Sequence, residues 1–238
     1  MAPRKPVKRP RAALSRERIV TAALELIDRE GLDDFSTRKL GAVLGVEAMS
    51  IYHHFPSKQH ILDALVDHAV GSVEFPPEDL PAVERLERLC YAYRAMALRH
   101  PKLYPLLALH RTNTPAGVVF LERVLALIEP VAPNDESLAR QFRAVGYYLT
   151  GAALDETSGY AKGPSAAEPA SSAYIAEHCP LLARVGRYFA PNQWDATFAF
   201  GLDALTAGLH ARLKSELPPA KAKGLTKPKN LRRKRSVD

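Results

Sequence analysis

Apolar residues recur with helical spacing along almost the whole of this 238-residue chain, and this feature constrains its fold most strongly. In residues 15–30, Ile19, Ala23 and Leu26 share one face, while charged residues occupy the opposite face. No segment alternates apolar and polar residues for long enough to predict a strand. The chain is therefore predicted to be all-α. The predicted helices cover residues 15–30, 37–44, 48–54, 82–99, 102–110, 115–129, 135–159, 171–187 and 192–214, with a further helix that begins after Ser57.

A proline-rich joint near residue 75 divides the chain. Pro76, Pro77 and Pro81 lie close together, and prolines interrupt helices. We predict a small helical domain over residues 15–75 and a larger helical domain over residues 76–216.

The net charge of +7 is concentrated at the two ends of the chain. Residues 1–11 hold five basic side chains and no acidic one, and residues 218–238 hold eight basic side chains and one acidic. The rest of the chain therefore carries a net charge of −5. Because these ends are poor in the residues that form a core, we predict a flexible basic arm over 1–14 and a disordered basic tail over 217–238. The tail is either a solubilising extension or a segment attracted to phosphate.

Composition excludes several other classes of protein. Apolar residues make up 47% of the chain and charged residues 25%, as in globular proteins. No stretch approaches the roughly 20 uninterrupted apolar residues of a membrane span, and the N-terminus lacks the apolar segment of a secretory signal. Cys90 and Cys179 are far apart, so neither a disulfide framework nor a zinc site is predicted. We expect a cytoplasmic protein that does not enter the membrane.

Residues 37–58 have the pattern of a short helix, a tight turn and a second short helix. Gly45 supplies the backbone freedom that the turn requires. The first short helix is expected to bury Leu40, Val43 and Leu44. The segment is therefore predicted to be a helix-turn-helix.

The second short helix is predicted to expose a nearly uncharged face with hydrogen-bonding groups. Its exposed residues are Ala48, Met49, Ser50, Tyr52, His53 and His54. Such a face fits the major groove of DNA, and Lys58 lies where helix amides favour a phosphate. The alternative is a three-helix bundle without a DNA partner. His53 and His54 point about 100° apart on a helix and cannot chelate together, so no metal site and no cofactor are predicted.

Three short motifs in this region are Thr37-Arg38-Lys39-Leu40, Leu44-Gly45-Val46 and Ile51-Tyr52-x-His54-Phe55-x-x-Lys58. Together they resemble the N-terminal domain of the TetR (tetracycline repressor) family of bacterial transcriptional regulators. The run from Phe198 to Leu209 is similar to the last helix of the tetracycline-repressor branch. The resemblance covers nearly all of residues 15–214. It implies a three-helix DNA-binding domain with a helix-turn-helix, followed by a larger helical domain for ligand binding and dimerisation.

The resemblance implies that nine residues contact double-stranded DNA. Thr37 and Arg38 would meet the DNA at the start of the first short helix, where Arg38 could reach a base. Base edges would be contacted by Ala48, Met49, Ser50 and His53, and phosphates by Tyr52, His54 and Lys58. Because Ala48 and Met49 offer only apolar contacts, the operator sequence cannot be copied from a relative.

The resemblance also implies a homodimer, which would place two reading helices on a palindromic operator. The implied dimer face consists of Leu138, Phe142, Val145, Leu149, Trp194, Phe198, Gly201, Leu205 and Gly208. The alternative for these residues is ordinary core within one subunit.

An internal ligand site is implied as well. Its candidate residues are Tyr93, His100, Leu103, Leu107, His110, Phe142, Tyr147, Asp155 and Tyr174. His100 and Asp155 lie where the tetracycline repressor places groups around its metal-bound drug, but two ligands are too few for a metal site. A small-molecule effector would release a repressor from DNA by favouring another subunit arrangement.

Two other function classes remain as alternatives. An enzyme is not predicted, because Ser, His and Asp occur in no catalytic spacing. A helical sequestering or structural dimer without specific DNA binding would be distinguished by a gel shift.

Overall fold

The computed structural model describes residues 13–110, 112–158 and 167–215, with side chains described up to residue 208. Over these ranges the chain is built from α-helices and short 3-10 turns and contains no strand, so the all-α prediction is confirmed. The helices are α1 (Arg16–Glu30), α2 (Thr37–Leu44), α3 (Ala48–Tyr52), α4 (Lys58–Gly71), α5 (Ala82–Arg99), α6 (Tyr104–Leu109), α7 (Pro115–Ile128), α8 (Asp135–Ser158), α9 (Ser172–His178), α10 (Pro180–Val185) and α11 (Trp194–Ser215). The basic arm lies almost wholly outside the described residues, and the basic tail entirely so.

Local capping sets the starts of α1, α2 and α4 and the ends of α1 and α2. The hydroxyls of Ser15, Ser36 and Ser57 each accept a hydrogen bond from the backbone N–H three residues further on. Gly31 and Gly45 follow the ends of α1 and α2 with φ of 98° and 67°, a conformation that side chains with a Cβ rarely adopt. These starts and stops are the ones that the sequence predicts.

Helix limits differ from the prediction at several places, and α6 and α11 begin at Tyr104 and Trp194 rather than at residues 102 and 192. The segment 171–187 is not one helix, because Pro180 lacks an N–H and forces Cys179 out of helical geometry (φ −131°, ψ 60°). The second short helix ends at Tyr52 rather than at residue 54.

The N-terminal helices pack around one apolar core. α1 packs against α2 and α4, and α2 packs against α3. Ile27, Leu40, Ile51 and Phe55 are all buried there. Val43 was expected in this core but is 47% exposed, because α2 turns Leu40 and Gly41 inward and Val43 away.

The larger part of the chain packs around α8, which contacts α5, α6, α7 and α11. A buried ion pair ties these helices together, with Arg94 Nε 2.6 Å from Glu156 Oε2. The Nη1 atom of Arg94 also lies 2.8 Å from Oδ1 of Asp195 at the start of α11. No residue of α9 or α10 is buried. Within the described residues, no helix is long and apolar enough to cross a membrane.

Candidate DNA-binding surface and ligand cavity

The α2–α3 turn is held by close backbone packing. The backbone of Gly45 adopts the left-handed conformation. The Val46 N–H donates to the Gly41 carbonyl oxygen at 2.9 Å. A Cβ at Gly41 would lie only 2.8 Å from the Val46 carbonyl oxygen, so only glycine fits without a shift. Gly41 was not among the residues predicted to shape the turn, although a glycine inside a short amphipathic helix is a signal of close approach. The angle between α2 and α3 therefore depends on Gly41 as well as on Gly45.

The exposed side of α3 is small and carries no charged residue in α3 itself. Ile51 is fully buried and anchors the helix, while Met49 on the other side is 65% exposed. His53, which follows α3, is also exposed. Ala48, Ser50, Tyr52 and His54 are half-buried, so each still presents part of its surface.

Side chains of neighbouring helices support α3. The hydroxyls of Thr37 and Tyr52 are 3.1 Å apart, which joins the start of α2 to the end of α3. The guanidinium of Arg16 lies 4.0 Å from the centre of the Phe55 ring and donates to the His54 carbonyl oxygen. Arg16 belongs to the charged face predicted for residues 15–30, and this contact was not predicted.

Lys58 and Arg38 both remain available at the edge of this surface. Lys58 opens α4, is exposed, and donates from Nζ to the Phe35 carbonyl at 2.9 Å. Its remaining two protons are free for another acceptor. Arg38 is exposed in the first turn of α2. The structure thus gathers the nine predicted DNA-binding residues on α2, α3, the two residues after α3 and the start of α4, where their individual contacts with DNA stay a prediction.

A cavity of about 140 Å³ lies inside the larger part of the chain, between α4 and α8. Three predicted ligand residues line it: Tyr93, Leu107 and Phe142. Its wall also includes Val66 and Val70 of α4. The helix that follows the helix-turn-helix therefore forms part of the cavity.

His100 and His110 do not line this cavity. His100 Nδ1 is 2.8 Å from an oxygen of Asp28 in α1, and His110 Nε2 is 3.1 Å from an oxygen of Asp63 in α4. Both histidines therefore join the larger part of the chain to the N-terminal helices. The sequence could not show this, because the pairs are 72 and 47 residues apart.

Four further predicted ligand residues lie elsewhere. Leu103 is fully buried in the core, and Asp155 is half-buried on α8 without lining the cavity. Tyr147 is 66% exposed, because it lies about 200° around α8 from Val145, which faces the cavity. Tyr174 is exposed on α9 and stacks on the His178 ring.

The predicted dimer face also needs correction. Val145 and Leu149 are buried and line the cavity with Phe142, so they are not available to a second subunit. Phe198 is buried against the rings of Tyr91 and Tyr148. Val145, Leu149 and Phe198 therefore belong to the core within one subunit, which was the alternative to a dimer face.

The other predicted dimer residues differ in their surroundings. Gly201 packs against Tyr148, whose ring lies 2.6 Å from where a Cβ would be. Leu138, Trp194 and Leu205 are half-buried, and Gly208 is exposed.

Acidic, histidine and cysteine side chains do not cluster in the described residues closely enough for three to hold a metal ion. Cys90 lines the cavity, and burial raises the pKa of its thiol to about 12. The thiol is therefore protonated near neutral pH and is a poor nucleophile.

A capped helix-turn-helix joined to a helical body with an internal cavity defines the class of DNA-binding transcriptional regulators. Two family models match the chain: "Bacterial regulatory proteins, tetR family" over residues 19–65, and "Tetracyclin repressor-like, C-terminal domain" over residues 77–213. The chain belongs to the tetR family and is a transcriptional regulator, not an enzyme.

Three relatives illustrate the similarity. The HTH-type transcriptional repressor DrrR1 of Streptomyces coeruleorubidus is 32% identical over 155 residues, which are 64% of this chain and 57% of that protein. A possible TetR family transcriptional regulator from Streptomyces coelicolor A3(2) is 29% identical, with a TM-score of 0.69 over 83% of this chain and 99% of that one. ActR of Streptomyces coelicolor in complex with (S)-DNPA is 29% identical, with a TM-score of 0.67 over 84% and 98% of the two chains.

Proposed function

We propose that this regulator is a cytoplasmic repressor that binds a palindromic operator as a homodimer and leaves it when a small molecule fills the cavity. The observation that carries this proposal is the position of α4. Lys58 at its start adjoins the DNA-binding surface, and Val66 and Val70 further along line the cavity. A molecule in the cavity therefore touches the same helix that packs against α1 and begins next to the helix-turn-helix.

In the proposed complex α3 enters the major groove. Ala48, Met49, Ser50 and His53 would meet base edges, where Met49 contributes an apolar surface for a thymine methyl. Tyr52, His54 and Lys58 would meet phosphates and fix the register. Thr37 would orient Tyr52 through their hydrogen bond, and Arg38 would reach the DNA from α2.

The homodimer follows from the geometry of DNA and from exposed apolar surface. One α3 reads only a few base pairs, so two copies about one helical turn (~34–36 Å) apart are needed for useful affinity. Phe200 on α11 is 77% exposed, and Tyr147 on α8 is exposed as well. A second copy that covers these helices, with Trp194, Leu205 and Gly208, would remove this surface from water.

Release of DNA would be a population shift between two subunit arrangements. An effector that favours the arrangement with the wrong α3 spacing lowers operator occupancy. A change from 99:1 to 1:99 requires a difference in binding free energy of about 5.5 kcal/mol between the two states. DrrR1 is named a repressor, and ActR was crystallised with a small molecule, which supports repression and ligand control here.

A gel shift with the DNA upstream of the protein's own gene tests the proposal. Tyr52→Phe and Lys58→Ala should weaken binding to all sequences about equally, whereas substitutions of Ser50 or His53 should change base preference in a randomised operator library. Arg88→Ala on the exposed face of α5 is the control and should leave binding unchanged. If all four variants act alike, the docking of α3 is wrong. Sedimentation that shows only monomers would refute the homodimer.

A further inference from the structure

The wall of the cavity is apolar and uncharged. Among the residues that the structure describes, no Asp, Glu, Lys, Arg or His side chain lines it. The two titratable lining groups are neutral near pH 7, because burial raises the pKa of the Cys90 thiol and of the Tyr93 hydroxyl. An ionised molecule in this space would lose its hydration without gaining a partner charge, which is strongly unfavourable.

Three hydroxyl side chains line the cavity, those of Tyr93, Thr112 and Thr150. The Tyr93 hydroxyl oxygen also lies 3.3 Å from the hydroxyl oxygen of Tyr104, which is buried and does not line the cavity. Each hydroxyl can donate one hydrogen bond, so the otherwise apolar wall offers donors to an accepting group of a ligand.

The cavity is also small. Its volume of about 140 Å³ is close to the ~150 Å³ of an apolar cavity that holds benzene. One aromatic ring with a small substituent therefore fills it as it stands.

We propose that the effector is an uncharged, mainly apolar molecule of about one aromatic ring, with one hydrogen-bond-accepting group that meets the hydroxyls of Tyr93 and Thr150. This inference rests on the proposed ligand control, because it assigns the chemistry of the molecule that fills the cavity. The apolar walls bury the ring, and a wall hydroxyl that donates to the accepting group of the ligand fixes its orientation.

Four probes of similar size test the proposal by calorimetric titration of the full chain at pH 7: phenol, toluene, benzoate and benzylammonium. Phenol is expected to bind most tightly and to lower operator binding in a gel shift. Benzoate and benzylammonium are expected to bind at least tenfold more weakly than phenol, because each buries an unpaired charge.

Two conservative variants test the hydroxyls of Tyr93 and Thr150. Tyr93→Phe or Thr150→Val should weaken phenol binding about three- to tenfold and leave toluene binding within about twofold, since only phenol accepts the hydrogen bond. Tyr188→Phe is the matched control, because this exposed tyrosine lies outside the cavity, and it should change neither affinity.

The outcomes separate this proposal from the regulatory function itself. A charged probe that binds as tightly as phenol, or no binding by phenol and toluene, would overturn the ligand class even if the operator is bound. Unchanged phenol affinity in both Tyr93→Phe and Thr150→Val would overturn the proposed hydrogen bond between these hydroxyls and the ligand. Failure to bind any operator would refute the regulatory function, while the titrations would still decide the ligand class.

Discussion

Replacement of Gly41 by alanine tests the packing of the helix-turn-helix directly. The added Cβ would lie 2.8 Å from the Val46 carbonyl oxygen, and ordinary contact begins at 3.4 Å, so α2 and the turn must separate by about 0.6 Å. Because the opposing atom is backbone, no side chain can rotate away. Such overpacking costs about 1–3 kcal/mol, and the better helix propensity of alanine returns about 0.5–1 kcal/mol.

The expected net loss for Gly41→Ala is therefore about 1–2 kcal/mol in the free energy of unfolding, or a fall in Tm of about 2–8 °C. Urea denaturation followed by circular dichroism measures the stability, and a gel shift measures operator affinity, which should fall because α3 is displaced. Gly71→Ala in α4 is the control, since a Cβ there meets no atom within 4 Å. Wild-type stability together with wild-type operator affinity in Gly41→Ala would refute the reasoning.

Three further predictions concern the larger part of the chain. Glu156→Ala leaves the buried Arg94 guanidinium without its closest partner and should lower the free energy of unfolding by about 3 kcal/mol, measured in urea; a loss below about 1 kcal/mol would contradict this. Asp63→Ala removes the bond to His110 and should speed hydrogen exchange in α4 while costing about 1 kcal/mol of global stability; unchanged exchange would show that the contact does not hold α4. Because burial raises the pKa of Cys90 to about 12, only about one thiol in 10⁴ is ionised at pH 8, so a thiol reagent should label Cys90 far more slowly in the native chain than after unfolding; equal rates would contradict its burial.

Short-range signals predicted the N-terminal helices closely. Ser36 caps the start of α2 and Gly45 caps its end. Each acts on backbone groups within a few residues, and such effects are visible in the sequence. The break at Pro180 is equally local, since proline affects only its own turn and the residue before it, but it was missed within a longer apolar pattern.

Contacts between distant helices were not predictable in the same way. Periodicity marked Val145, Leu149 and Phe198 as apolar, but it could not tell whether the same chain or a second copy covers them. Phe142 was expected both in the ligand site and at the dimer face, and the structure places it on the cavity wall.

The sequence by itself determined the helical class and the helix-turn-helix, because both depend on spacing and capping within about 20 residues. Only the tertiary structure decided that His100 and His110 join two parts of the chain, that α4 lines the cavity and that Gly41 must be glycine. These features depend on which helix faces meet, and that is set by the packing of all the helices together.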